Sequence, residues 1–271
     1  MPTAEERLIG VRAKIERSKH HIRDLEARIS AFREANPNLL LCDQDPNTRE
    51  RSFRLRENLP IEFSLITGDA INSLRSALDH LACRLVEAHT PGQSIDRTAF
   101  PLFDDPDKFK KRPKGQTEGI DPAAVDRIEA IQPYQTGYEP LGIVAKLNNA
   151  DKHRVLLVVA YGIQGFSYGF TNNNLLNSLD PVTRAAIDAY MRETDAEIAP
   201  VRPTNLIPIA FHGNTEMARI SWPNGPPPQM NENLQLAFEV SIDEPQIVEG
   251  QPVIPLLAQL AEFVESIVSK F

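Results

Sequence analysis

Cysteine is scarce in this sequence of 271 residues, which contains only Cys42 and Cys83. Two cysteines exclude a disulfide framework, and their separation matches no spacing of metal ligands. We expect both to be reduced thiols, as in cytoplasmic proteins. The sequence also lacks an apolar run long enough to cross a bilayer, and its first residues do not form a signal peptide. These absences predict a cytoplasmic protein without a membrane partner.

Glycine is also scarce, at 13 residues, and its pattern excludes the common cofactor sites. Segment 162–170 contains three glycines, but it has neither the spacing of a dinucleotide-binding fingerprint nor the Lys-Ser/Thr of a phosphate loop. No Gly-x-Ser-x-Gly turn indicates a serine hydrolase, and no His-Glu-x-x-His pair indicates a zinc enzyme. We therefore expect no cofactor and no metal.

Basic residues are fewer than acidic ones: the sequence contains 29 Lys and Arg and 37 Asp and Glu. The deficit is uneven. The first 115 residues contain 20 basic and 18 acidic side chains, and the remaining residues contain 9 and 19. The acidic second part argues against broad electrostatic binding of nucleic acid, whereas a local basic site in the first part stays open.

Two long helices are predicted, the first from about Ala4 to Ala35 and the second from Ile61 to His89. A heptad register in the first consists of Leu8, Val11, Ile15, Ser18, Ile22, Leu25, Ile29 and Phe32. A three-four spacing in the second consists of Ile71, Leu74, Leu78, Leu81 and Leu85. The first helix therefore either packs antiparallel on the second or forms the seam of a homodimer.

The remaining periodicities predict shorter helices and a sheet. Helices are expected at 122–132, from Pro140 to about residue 160, at 180–194 and after Pro255; strands are expected at 51–56, 206–211, 217–222 and 234–242. The fold class is α+β, a helical bundle built on the two long helices with a small antiparallel sheet and a C-terminal helix that packs on it. We expect a single domain over 1–271, with a helical part at 1–160 and the sheet plus C-terminal helix at 161–271.

The 61–89 helix carries a second, polar stripe opposite its apolar one. This stripe consists of Asp69, Ser73, Ser76, His80, Arg84 and Glu87. Arg75 and Asp79 are four residues apart on its flank, where they can form an ion pair. The stripe is either a solvated face or a polar site, because Arg, Asp and His together can bind an anion and move a proton near neutral pH.

Asp151 falls in the predicted apolar seam of Val144, Leu147, Val155 and Val158. A carboxylate on a core face is costly unless it is paired. Its candidate partners are Arg75, His80, Lys152, His153 and Arg154. A buried structural ion pair and a functional site both fit this position.

Two segments carry a family resemblance: LRSALDHLA at 74–82 and LNNADKHRVLLVV at 147–159. They resemble an uncharacterised family of bacterial proteins, in which an Arg-Ser-Ala-Leu-Asp-His helix precedes an Asn-x-x-Asp-Lys-His-Arg helix. The resemblance covers roughly residues 61–160. It implies a bacterial protein and points to no particular activity.

The first segment also resembles the Arg-x4–6-His motif of HEPN domains, with Arg75 and His80 in the motif positions. HEPN domains are helical bundles, often dimeric, and many are metal-independent ribonucleases. The resemblance implies that Arg75 and His80 are catalytic, and we expect Asp79, Asp151 or His153 to support them. On an ideal helix Arg75 and His80 are about 140° apart, so such a site needs two subunits or a distorted helix.

Three functions are therefore open. The first is a non-catalytic interaction or ligand-binding protein in which the pairs Asp79–Arg75 and Asp151–His80 tie two core helices together, with Lys152, His153 and Arg154 beside Asp151. The second is a HEPN-like ribonuclease with RNA as its partner. The third is a hydrolase with a metal held by His80, Asp151 and His153, for which no ligand spacing exists.

Overall fold

The structure is a computed structural model that describes residues 4–36, 40–44, 50–55, 58–156, 158–162, 197–200, 216–221 and 238–271. The chain divides into two compact units. The first unit contains Met1–Arg28, Ile61–Leu157 and Ile242–Phe271, and the second contains Ile29–Pro60 and Val158–Ser241. The architecture is α+β, as predicted, with a helical bundle and small sheets.

Both long helices are confirmed, as α1 (Ala4–Ala35) and α2 (Ile61–His89). The shorter helices of the described chain are α3 (Pro106–Lys110), a single 3₁₀ turn (Lys114–Gln116), α4 (Pro122–Ala130), α5 (Glu139–His153) and α6 (Val253–Val268). At the start of α4 the Asp121 carboxylate accepts a hydrogen bond from the Ala123 N–H, because that amide has no partner within the helix.

In the first unit, α1 and α2 pack antiparallel, which confirms one of the two alternatives for the N-terminal helix. The Ser18 hydroxyl donates to the Ala70 carbonyl oxygen at 2.9 Å, and Gly10 faces His80. The heptad residues of α1 from Val11 to Leu25 are buried. The apolar face that would form a dimer seam is thus covered within the chain.

Helix α2 is the centre of the first unit, since its apolar stripe is fully buried at Ile71, Leu74, Leu78 and Leu81. It packs against α5 and α6 as well as α1. The C-terminal helix was predicted to pack on the sheet. In the structure it contacts α2 and α5, in addition to the strand that directly precedes it.

The predicted helix from Pro140 to residue 160 is wrong in its last third, after His153. Helix α5 ends at His153, and Arg154 is extended (φ −161°, ψ 158°). A strand, β3 (Val158–Gly162), follows. The reason is that three β-branched valines, at 155, 158 and 159, favour the extended backbone once Arg154 leaves the helix. Val155 is consequently exposed and is not part of a helical core seam.

A four-stranded antiparallel sheet lies in the second unit, in the order β1-β2-β5-β4. Its strands are β1 (Leu40–Gln44), β2 (Glu50–Leu55), β4 (Glu197–Pro200) and β5 (Glu216–Ser221). Leu40 pairs with Leu55, and β2 is irregular between Phe53 and Arg54 where it meets β5. A second sheet has the order β3-β6-β7, with β6 at Phe238–Glu244 and β7 at Val248–Pro252.

Several predictions can now be placed. The strands predicted at 51–56, 217–222 and 234–242 correspond to β2, β5 and β6, and β6 continues to Glu244. The helix at 180–194 and the strand at 206–211 lie outside the described residues. Among the helices that the structure describes, none is both long and apolar enough to span a membrane.

Candidate functional site

Arg75 and Asp79 form the predicted ion pair, at 2.7 Å between Nη2 and Oδ1, and together they bind the backbone of Phe100. The same Nη2 donates to the Phe100 carbonyl oxygen at 2.7 Å, and Asp79 Oδ1 accepts from the Phe100 N–H at 2.9 Å. Burial lowers the pKa of Arg75, while the Asp79 charge raises it. The guanidinium stays charged, because arginine does not deprotonate in proteins. The pair satisfies both backbone groups of a fully buried residue.

Gln132 continues this backbone recognition over the next three residues. Its side-chain amide is fully buried just after α4. Nε2 donates to the Pro101 carbonyl oxygen at 2.8 Å, and Oε1 accepts from the Phe103 N–H at 3.0 Å. Segment 100–103 pairs with no strand among the described residues, and three side chains bond its backbone instead.

The fixed segment forms one wall of a groove along α5. The groove has a volume of about 490 Å³ and is lined by apolar side chains from the segment, from α5 and from the β6–β7 turn, together with four charged groups. The apolar lining includes Leu102, Phe103, Pro133, Ile143 and Ile247, and the charged groups are Asp104, Lys108, Glu139 and Lys146. This volume is in the range of small-molecule sites.

The charges at the groove are partly paired. Lys108 Nζ donates to Asp104 Oδ1 at 2.8 Å, and this hydrogen bond holds the pKa of Asp104 below its usual value. Lys146 also faces Asp104 and lowers its pKa further. Both side chains of the Lys108–Asp104 pair are more than half exposed. The pair therefore contributes little to stability and leaves the mouth of the groove adaptable.

His80 is directed away from Arg75. It is exposed on the side of α2 that faces α1, where its Nδ1 lies 4.0 Å from the position that a Cβ at Gly10 would occupy. Burial lowers the pKa of His80, as do the charges of Lys14 and Arg84, whereas Asp79 raises it. Within one chain, the two residues of the Arg-x4-His motif thus contact different parts of the fold.

Asp151 lies against α2, but it has none of the partners predicted for it. In the described part of the chain its carboxylate makes no hydrogen bond or ion pair; Arg75 is bound to Asp79, and Arg154 to Glu244. It rests on Gly68, where a Cβ would come within 2.8 Å of Oδ2 and closer still to Oδ1. Burial, and then the Asp69 charge, raise the pKa of Asp151. The predicted tie between Asp151 and His80 is therefore wrong.

The rest of the Asp-Lys-His-Arg motif divides into two parts. Lys152 and His153 are exposed in the last turn of α5. Arg154 forms a bidentate pair with Glu244 of β6, with 2.9 Å between Nη1 and Oε1. The Glu244 side chain is fully buried, and this hydrogen bonding raises the pKa of Arg154. Arg154 thus ties the end of α5 to β6 as a structural group.

Four of the side chains that the sequence singled out do not converge. Arg75 is bound to Phe100, His80 faces α1, Asp151 rests on Gly68, and His153 is exposed at the end of α5. No group of three potential metal ligands exists among the described residues. The sequence interpretation missed Gln132, Glu244 and the groove. Gly68, the single glycine in α2, was a usable signal, because a helix-interior glycine often marks a close approach.

Substitution of Gly68 tests the contact with Asp151. Gly68→Ala should destabilise the protein by about 1–3 kcal/mol, because the new methyl overlaps the carboxylate. Removing that carboxylate with Asp151→Ala in the Gly68→Ala protein should recover most of the loss. Both changes are measured by urea unfolding.

Gly10→Ala is the matched control, since it is also a helical Gly→Ala change and its methyl meets only His80, at 4.0 Å. Higher helix propensity should make it neutral or stabilising by up to about 1 kcal/mol. Equal effects of the two alanines would contradict the packing of Asp151 on Gly68.

The raised pKa of Asp151 predicts a pH dependence of stability. A carboxyl whose pKa is higher in the folded state stabilises the protein when protonated, and this contribution is lost as the pH rises above the ordinary value of 3.8. Asp151→Asn should therefore match the wild type near ~pH 3 and become more stable than it by ~pH 7. Unfolding free energies across this range provide the measurement. Asp126→Asn, at an exposed position of α4, should not show this divergence.

No protein-family model matches this chain, and neither a curated protein nor a solved structure matches it. The bacterial-family resemblance of segments 74–82 and 147–159 therefore stays a prediction, as does the HEPN-like resemblance of Arg75 and His80. What the side chains contact is the remaining guide to function. The contacts show that two ion pairs hold parts of the fold together, whereas the groove along α5 and His80 are open to solvent.

Proposed function

We propose that this chain is a non-catalytic binding protein, and that the groove along α5 receives a small amphipathic organic molecule. The observation that carries the proposal is the way the groove is built. Arg75, Asp79 and Gln132 hold the backbone of segment 100–103, which presents Leu102 and Phe103 to the groove. A rigid apolar wall with charged groups around it is what a pre-formed small-molecule site requires.

The dimensions and charges of the groove support this class of ligand. The α5 residues that line it extend from Glu139 to Asn149, about 15 Å of helix. Its apolar side chains favour a hydrocarbon or aromatic body. Lys146 has no hydrogen-bonded carboxylate among the described residues, so it is available to an acidic group on the ligand.

The placement of the motif residues supports a non-catalytic role. Each of the two arginines, Arg75 and Arg154, is bound to a carboxylate and holds another part of the fold in place. A catalytic arginine has to reach the substrate, and Arg75 is occupied by the Phe100 carbonyl oxygen.

Homodimerisation through α1 and a cytoplasmic location also remain proposals. A dimer would have to use the outer face of α1, where Ile9 is 63% exposed.

Binding of 1-anilinonaphthalene-8-sulfonate tests the groove, because this probe combines an aromatic body with one negative charge. We expect saturable binding to the native protein with an increase in fluorescence. Ala145→Trp fills the groove and should weaken binding about tenfold, the loss of roughly 1.4 kcal/mol. Ala130→Trp, at an exposed position of α4 outside the groove, is the matched control and should bind as the wild type does.

Two results would contradict the groove as a binding site. One is the absence of saturable binding by a protein that gives a cooperative unfolding transition. The other is an equal affinity of the two tryptophan variants. A probe that binds only when the protein is concentrated enough to dimerise would indicate that a second copy of the chain forms the site.

The ribonuclease alternative requires His80 for RNA cleavage, whereas the binding proposal does not. His80 is exposed and can be changed without disturbing the core. We expect the purified protein to cleave single-stranded RNA no faster than His80→Gln does. Arg75→Met should lower stability by about 2 kcal/mol, because it leaves the buried Phe100 carbonyl oxygen unpaired. RNA cleavage that His80→Gln abolishes, with stability unchanged, would establish the HEPN-like function instead.

A further inference from the structure

We propose that the seam between α1 and α2 binds a small oxyanion of the phosphate class through Lys14, Ser76 and His80, with Arg84 at its edge. This site is distinct from the groove along α5, and neither proposal depends on the other. It lies on the polar stripe of α2, which the groove does not use.

The antiparallel packing of the two helices brings these groups together. Gly10 is opposite His80, and Ser18 is bonded to Ala70. Lys14 lies midway between Gly10 and Ser18, so it is level with Ser76 on α2. His80 and Arg84 then follow at one-turn intervals on the same face of α2.

The donors of this cluster are not used by the fold. Within the described residues Lys14, Ser76 and His80 make no hydrogen bond or ion pair. Arg84 donates to Glu87 through Nη1 at 2.7 Å, which leaves its other N–H groups available. The charge of Asp79 raises the pKa of His80, but the Oδ1 of Asp79 already accepts from Arg75 and from the Phe100 N–H.

The space beside His80 is open because residue 10 has no side chain. The imidazole is exposed, and Gly10 leaves its Nδ1 edge uncovered. Lys14 on α1 and Arg84 on α2 both lower the pKa of this histidine, in addition to its partial burial. Positive groups from two helices thus act on His80, and within the described residues Asp79 is the acid that opposes them; an anion would supply a further acceptor.

The number and arrangement of donors favour a tetrahedral oxyanion. A primary ammonium, a hydroxyl, an imidazole and part of a guanidinium approach from two helices, so no single plane contains them. A phosphate monoester has three acceptor oxygens and about two negative charges near neutral pH. It can accept charge-assisted hydrogen bonds from several of these groups at once.

The test follows the ring proton signals of His80 by NMR during pH titration, in inorganic phosphate and in chloride at equal ionic strength. A bound anion stabilises the imidazolium, so the pKa of His80 should rise by about 0.5–1 unit in phosphate. Lys14→Gln should remove at least half of this rise. Lys110→Gln, at an exposed lysine on α3 outside both proposed sites, is the matched control and should not change it. His80→Gln assigns the signal.

A third titration in glycerol phosphate distinguishes the two sources of such an anion. A larger shift with the ester than with inorganic phosphate supports a phosphorylated metabolite, and equal shifts support free phosphate. The proposal is overturned if His80 titrates identically in phosphate and chloride. It is also overturned if Lys14→Gln responds as the wild type does, since this means an adventitious ion only. A response confined to single-stranded oligonucleotides would replace it with a nucleic-acid surface.

Discussion

The fold depends on hydrogen bonds that pair buried polar groups at the surface of α2. An unpaired polar group in a buried position costs on the order of 1–3 kcal/mol, a large fraction of the stability of a small protein. Ser18 and Ser73 avoid this cost through backbone carbonyl oxygens, and Arg75 avoids it through Asp79 and Phe100. The last of these contacts also positions segment 100–103, so an interaction that satisfies a buried residue fixes the wall of the groove.

The helices were predictable because their signals are local. The heptads of α1 and the three-four spacing of α2 are each repeated over many turns, and tertiary contacts do not override a pattern of that length. The i,i+4 spacing likewise identified the Arg75–Asp79 pair. The end of α5 was not predictable in this way. The valines after Arg154 continue an apolar pattern that also fits a helix, and the bond from Arg154 to Glu244, 90 residues later, has no local signal.

The contacts of the candidate site could not be predicted for the same reason. Gln132 is one polar residue after a short helix, and nothing in the neighbouring sequence indicates that it binds Pro101 and Phe103. Asp151 was identified as an anomaly, but its surroundings were not. A carboxylate on a core face is usually stabilised by an ion pair. Here Gly68 leaves room for the Asp151 side chain, and burial raises the pKa of its carboxyl.

The polar side chains of the first unit thus fall into two groups with different consequences. Arg75, Asp79, Gln132 and Arg154 have their hydrogen-bonding capacity largely used within the fold, and such groups resist substitution without offering chemistry to a ligand. Lys14, Ser76 and His80 retain theirs. The two groups cannot be separated by residue type, since Arg75 and His80 belong to one motif five residues apart. They are separated by what the neighbouring chain presents, a backbone carbonyl oxygen at Phe100 and a bare glycine at position 10, and this difference decides which residues remain available for binding.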